Sequence, residues 1–264
     1  MHDLTNPVLL AQCAKIKAMV EEVSRIPTRQ KDYYAENHHW KLSPPASLEE
    51  IEAFEKKAGI ELPIEYVYFL TQVGRGGACP GTCFFDFPEK NYEWDKIAGV
   101  SEKLSVILPE EEWGKRYEYH ENYEEPGVIC LCGMDLTFEA YLIVTGPNRG
   151  RVVYLDYDGD MPPMWPKSSP DFLTWYENFF CELLADYKIY PTWKFMWQEP
   201  GEESDLIRAL KEAEDLQYQK EVLGSFYKFK KLSDTTLQFL QSIKEPAALQ
   251  EIAEDVLQYF SSKH

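Results

Sequence analysis

Residues 47–70 read Ser47-Leu48-Glu49-Glu50-Ile51-Glu52-Ala53-Phe54-Glu55-Lys56-Lys57-Ala58-Gly59-Ile60-Glu61-Leu62-Pro63-Ile64-Glu65-Tyr66-Val67-Tyr68-Phe69-Leu70, and the chain runs on to Val73-Gly74-Arg75-Gly76-Gly77. Two helices are written there. Ser47 with Glu50 three residues later is a capping box: each side chain satisfies a backbone N–H left open by the first turn. Leu48, Ile51, Phe54 and Ala58 then share one face, and Gly59 ends the helix because it takes positive φ without a Cβ clash. Leu62-Pro63 starts the second helix, with Pro63 expected at the first helical position, where its missing N–H costs nothing. Ile64, Val67, Tyr68, Phe69 and Leu70 make that helix apolar on most sides, as a core helix must be. Gly74-Arg75-Gly76-Gly77 ends it.

Working outward, Val8, Leu9, Ala11, Ile16, Met19, Val20 and Val23 recur at helical spacing and predict a helix over 7–23. Pro27 to Pro45 reads as a loop holding His38, His39 and Trp40. Beyond the glycines the period changes. Phe84, Phe85 and Phe87 suggest a short strand and Leu104–Leu108 another. Pro109 to Glu125 is acidic and aromatic, with the pattern of a surface helix. Val128–Cys132, Phe138–Thr145 and Arg151–Asp156 read as strands, the last two joined by Gly146-Pro147-Asn148-Arg149-Gly150 into a hairpin. Ser169-Pro170-Asp171 opens a strong helix, with Ser169 expected as cap and Pro170 at the first position. Its stripe is Phe172, Tyr176, Phe179, Phe180, Leu183, Leu184 and Tyr187.

Pro191 to Gly201 reads as a linker whose Trp193, Phe195, Met196 and Trp197 are expected to pack on something, and the rest of the chain to His264 carries only helical patterns. Four apolar groups mark four helices there: Leu206/Ile207/Leu210, Val222/Leu223/Phe226/Tyr227, Leu237/Leu240/Ile243 and Leu249/Ile252/Val256/Leu257/Phe260. Short loops between them suggest stacked helical hairpins. The expected fold class is therefore α+β: an antiparallel sheet flanked by helices over residues 1–190, then an all-helical extension over 201–264.

The chain has 264 residues, 27 Lys and Arg against 45 Asp and Glu, and a formal charge of −18. Such a surface repels nucleic-acid backbones and anionic lipid heads and attracts cationic partners. With 44% hydrophobic and 14% aromatic residues the chain is globular rather than disordered. No apolar run is long enough for a membrane span. Met1-His2-Asp3 lacks a basic region followed by an apolar stretch, so no secretory signal is expected. Six cysteines in a chain this long do not form a disulfide framework, and the reducing cytoplasm is the expected compartment. Cys13 and Cys181 read as small apolar residues of helices. Cys79-Pro80-Gly81-Thr82-Cys83 and Cys130-Leu131-Cys132 lack the two-residue spacing of zinc knuckles, and Cys130 and Cys132 look like one face of a strand. Buried free thiols are expected, with no metal and no cofactor.

Catalytic motifs are missing from the sequence. It holds no Gly-x-Ser-x-Gly elbow, Walker loop, dinucleotide-binding glycine pattern or His-Glu-x-x-His. Of the five histidines, His38, His39 and His120 lie away from the chain ends. Adjacent His38 and His39 on an extended chain point apart and make a poor chelate. Asp156, Asp158 and Asp160 fail as a calcium loop: Gly159 falls at position 4 instead of 6, and Lys167 occupies position 12. A tight turn is the expectation. With 45 acids, paired carboxylates of the kind a glycosidase needs identify nothing.

Two blocks carry a resemblance. The first is the capped helix through Phe54-Glu55 and Gly59-Ile60, then Leu62-Pro63-Ile64-Glu65-Tyr66 to Phe69-Leu70, then Val73-Gly74-Arg75-Gly76-Gly77. The second is Gly146-Pro147-Asn148-Arg149-Gly150-Arg151-Val152-Val153-Tyr154, then Asp156, then Phe172-Leu173-Thr174-Trp175-Tyr176. In order and spacing, over about residues 45–185, they resemble the SUKH superfamily, which includes the fungal cell-wall assembly regulator and many bacterial toxin-immunity proteins. Arg75 stands where that family usually has Asn. The resemblance implies a non-catalytic intracellular protein-binding module, in bacteria an immunity protein that neutralises a cognate toxin, often a nuclease. A regulatory adaptor is the alternative. Nuclease sites are basic, so an acidic protein can cover one. The expected partner is a basic protein, a toxin domain, with no direct nucleic acid and no membrane. The acidic surface is assigned to Glu110, Glu111, Glu112, Asp156, Asp158 and Asp160, and the aromatic anchors to Tyr117, Tyr119 and Tyr123. Leu62, Pro63 and Gly76 are expected to build the fold.

Overall fold

Capping chemistry sets where the first helices begin. The Asn6 side chain accepts from the Val8 N–H, and Pro7 opens α1 (Pro7–Ser24). A single turn, α2 (Ala35–His38), lies in the segment expected as loop. In α3 (Leu48–Ala58) both halves of the capping box form: Glu50 N–H donates to Ser47 Oγ at 3.2 Å, and Ser47 N–H to Glu50 Oε2 at 2.8 Å. Gly59 ends it at φ 69°. Pro63 is the N-cap of α4 (Ile64–Gln72) rather than its first residue, because its ψ of 136° is extended. The computed structural model describes residues 2–262 apart from 32–33, 83, 89–93, 95, 109, 117–124, 135–136, 157, 159–160 and 192. The chain divides into two compact units, Met1–Phe180 and Cys181–His264.

In the first unit, β1 (Val128–Gly133), β2 (Phe138–Ile143) and β3 (Val152–Asp156) form an antiparallel sheet in the order β1-β2-β3. The β2–β3 register runs from Phe138 opposite Asp156 to Leu142 opposite Val152, as the hairpin sequence requires. Two other expected strands are not in the sheet. Phe84 makes only an isolated bridge to Gly77, and Phe84 and Phe87 are buried as anchors of an irregular loop. Leu104 sits in a 3₁₀ turn, Lys103–Ser105, whose buried leucine packs with Ile143, Val153 and Leu155. Short apolar runs cannot be told apart by pattern alone: Phe85 N–H donates to Leu131 O of β1 at 3.0 Å, yet among the described residues neither run adds a strand to the sheet.

Between helices and sheet lies an aromatic core. Tyr66, Phe69, Phe84, Phe172 and Tyr176 are buried, with Phe69 centred 5.0 Å from Phe172 and 4.9 Å from Tyr176, both edge-on. Edge-to-face packing sets the positive ring edge against the negative ring face. Phe172 and Tyr176 belong to α6 (Phe172–Leu184). Its cap is Asp171, whose carboxylate accepts the Thr174 N–H at 2.9 Å; Ser169, the expected cap, donates to Lys167 O instead. The supposed loop before Pro45 is also packed. Trp40, 1% exposed, donates its indole N–H to Arg29 O and lies against Phe179 and Phe180.

The second unit is helical where described. The expected linker contains α7 (Trp193–Trp197), with Phe195 and Met196 buried. Phe195 and Met196 leave water, while Trp197 stays 43% exposed. Then come α8 (Glu203–Glu212), α9 (Leu216–Ser225), α10 (Asp234–Ser242) and α11 (Ala247–Ser261). In their packing, α9 lies against both α8 and α11, and α10 against both α11 and α8. Leu206, Leu210, Val222, Leu223, Phe226, Leu240, Leu249, Val256 and Phe260 make one core, from all four apolar groups read in the sequence.

Candidate partner-binding surface

The acidic run Glu110-Glu111-Glu112 begins a short helix, α5 (Glu110–Arg116), which ends on Lys115 and Arg116. Acids at the start and bases at the end both favour the helix dipole. Trp113, 3% exposed, anchors α5. Glu112 is exposed, and its carboxylate lies 2.8 Å from Lys115 Nζ, which holds its pKa below the usual range. The side chains of Glu110 and Glu111 lie outside the described residues, as do Tyr117, Tyr119, Tyr123 and Asp160.

Asp156 and Asp158 part company. Asp156 ends β3 and is 2% exposed. Its two oxygens accept backbone N–H groups of Asp158 at 3.3 Å and Met161 at 3.1 Å. It organises a turn, as the sequence also suggested, and presents no charge to a partner. Asp158 is exposed. Two further acids that pattern reading passed over stand on the outer face of α3: Glu49 and Glu52, both exposed. Their signal was plain, since positions three apart opposite the Ile51/Phe54/Ala58 stripe must face solvent. Hydrogen bonds from its own N–H and from Ser47 lower the Glu49 pKa, so it is charged at neutral pH.

The signature residues are engaged within the fold. Arg149 Nη2 donates to Glu61 O at 2.9 Å and Leu62 O at 2.8 Å, joining the second block to the turn of the first. Phe172 N–H donates to Gly150 O at 3.0 Å, and Gly150 turns at φ 93°. Arg75 makes a two-pronged pair with Glu50, at 2.9 and 2.8 Å, and donates to Pro44 O and Pro45 O. That pair lowers the Glu50 pKa. Gly77, at φ 98°, lies so close to Lys41 O that a Cβ would come within 2.2 Å of it. The glycine run is a backbone crossing.

Among the described residues, those weighed for catalysis form no catalytic constellation. His38 is buried, with Nδ1 accepting the Trp40 N–H at 3.0 Å, while His39 is exposed. His120 lies outside the described residues. Cys13 is buried but Cys181 is exposed on α6. Among the described residues no three His, Cys, Asp or Glu side chains group as metal ligands, and no helix is long and apolar enough to cross a membrane. An open hollow of about 530 Å³ in the helical unit has Tyr187, Ile207 and Phe229 among its lining. Some of the charges there are bonded within the fold: Lys230 with Asp186, and Glu203 with Ser233.

The model of the SMI1 / KNR4 family (SUKH-1) matches residues 45–178, half of the chain. No match is found among curated proteins.

Proposed function

The chain belongs to the SMI1 / KNR4 family (SUKH-1), and from that premise we propose that it is a non-catalytic protein-binding module, an immunity protein that covers a basic toxin domain. The observation that carries the reading is a charge of −18 on a fold whose signature arginines and glycines are already engaged internally. Recognition then falls to other surface side chains, and the excess of charged ones is acidic. Glu112, Asp158, Glu49 and Glu52 are among the exposed carboxylates that would steer a cationic partner. Long-range attraction raises the encounter rate, while aromatic anchors would set the residence time. Glu110, Glu111, Tyr117, Tyr119 and Tyr123 remain assigned to that surface by their sequence alone.

The test is co-expression with a toxin domain found in a reading frame adjacent to this gene, and an isolated locus would count against the reading. Cells carrying that domain alone should lose viability, and cells carrying both should grow. Growth arrest that this chain does not relieve would overturn the immunity reading.

A further inference from the structure

Side chains alternate along a strand, and Tyr154 fixes the alternation of β3. Its hydroxyl accepts the indole N–H of Trp175, on α6, at 2.7 Å. Arg151, Val153 and Leu155 therefore belong to the opposite face of the sheet. The Ile143 N–H to Arg151 O bond, 3.0 Å, carries the ladder to the residue just before β3. On that face Val153, Leu155, Ile143 and Leu104 form a small buried cluster, with Tyr141 and Trp165 packed against it and partly exposed. Arg151 places a charge beside them. It is half-buried, and its guanidinium carbon lies 5.3 Å from the centre of the Trp165 ring.

That guanidinium has no counter-charge within the described residues. Its Nε is shut off from solvent without a hydrogen bond, and no carboxylate is in ion-pair reach. The other two arginines of the signature blocks are bonded, Arg75 to Glu50 and Arg149 to the Glu61 and Leu62 carbonyls. The acid on the same sheet face, Glu139, stands opposite Leu155 and accepts from the Tyr141 hydroxyl. Burial lowers the Arg151 pKa with no neighbouring charge to oppose it, yet an arginine stays charged at any working pH. An unpaired charge on apolar ground costs free energy, and the face of Trp165 offsets only part of it. A chain with 45 acids leaves this cation uncompensated.

We propose that Arg151, held against Trp165, receives a carboxylate side chain of the basic protein partner and anchors the complex. The inference rests on the protein-binding reading above and adds to it a second kind of contact. Net charge selects the occupant. Free phosphate, nucleic acid and anionic lipid heads all approach against −18. A carboxylate carried on a cationic polypeptide does not, because the rest of its own chain is drawn in. The planar guanidinium accommodates a carboxylate with two parallel N–H bonds, and with Nε covered the pair forms end-on through the two Nη groups. Tryptophan and arginine on an apolar floor are the residues on which binding energy concentrates. The exposed acids then set how fast the partner arrives, and Arg151 sets how long it stays.

The probe is a purified toxin domain from an adjacent reading frame, mixed with the full chain by stopped flow at about 150 mM salt. Arg151→Met keeps the packed stem and removes the charge. Its dissociation from the toxin domain should quicken by about tenfold or more with association little changed, and Arg151→Lys should recover only part of that. In the toxin domain, one Asp→Asn or Glu→Gln variant should lose affinity against the native chain and lose nothing further against Arg151→Met, which marks a direct pair. A native dissociation rate in Arg151→Met, or a loss coupled to no carboxylate of the toxin domain, would overturn the anchor and leave the immunity reading standing. A native chain that does not bind the toxin domain at all would remove both.

Discussion

At Asp171 a single carboxylate decides where α6 begins. Ser169 and Asp171 both precede that helix with the chemistry of a cap. Asp171 acts as one because its oxygens reach both the N–H and the hydroxyl of Thr174, at 2.9 and 2.8 Å. Ser169, 4% exposed, is turned toward Lys167 O. Asp171→Ala should cost about 1 kcal/mol, and Asp171→Asn, which keeps an acceptor, should retain most of that. Urea unfolding at constant m-value measures both. Equal losses in the two variants would assign the effect to charge and not to capping. Local sequence pointed to Ser169 as the cap, with Asp171 as an acid near the positive end of the dipole, and the folded chain gives the cap to Asp171.

Elements show the same division of labour. The strand period of β1 was legible, and so was the hairpin β2–β3. The bulge at Leu131 was not, because alternation in a six-residue strand cannot reveal one extra residue. In the helical unit all four amphipathic helices were legible from their apolar groups, while the polar network beneath them was not. Lys228 and Glu182 are 0% and 3% exposed and 2.9 Å apart. Lys228 Nζ also donates to Glu199 O at 2.8 Å, and Glu182 accepts the Gly201 N–H at 2.7 Å. Burial opposes both charges, lowering the lysine pKa and raising that of the glutamate, with their mutual attraction working against it. Lys228→Met alone strands a buried carboxylate and should destabilise by about 3–5 kcal/mol. Lys228→Met with Glu182→Leu should recover most of the loss, since desolvating an ion pair offsets much of its attraction. Thermal unfolding of the three proteins checks this; a double variant no better than the single one would show that the pair is net stabilising.

Across the whole molecule the dominant quantity is charge, −18 over 264 residues. Its distribution bears on the partner surface: Asp156 contributes a buried turn, whereas Glu49, Glu52, Glu112 and Asp158 reach solvent. Steering by exposed charges is screened by salt. The association rate with a basic toxin domain should therefore fall by about tenfold or more between about 50 and about 500 mM salt, with the dissociation rate changing little. Stopped-flow or surface-binding kinetics would read it. A rate indifferent to salt would remove the acidic surface from the mechanism. The helical unit lies outside the family match, which ends at residue 178.

Periodicity, caps and turn residues by themselves determined the fold class, the capped pair α3–α4, the β2–β3 hairpin and the four terminal helices. These are local matters: side-chain spacing against a fixed backbone period, and residues suited to particular φ and ψ. Tertiary structure alone decided that Trp40 is core, that Arg149 clasps the Glu61–Leu62 turn, and that Asp156 is buried while Asp158 is not. It also decided that Cys132 meets Met134. Most of these depend on which distant segment supplies the neighbour, and the cost of leaving a polar atom or an apolar ring without one acts only once the chain has closed on itself.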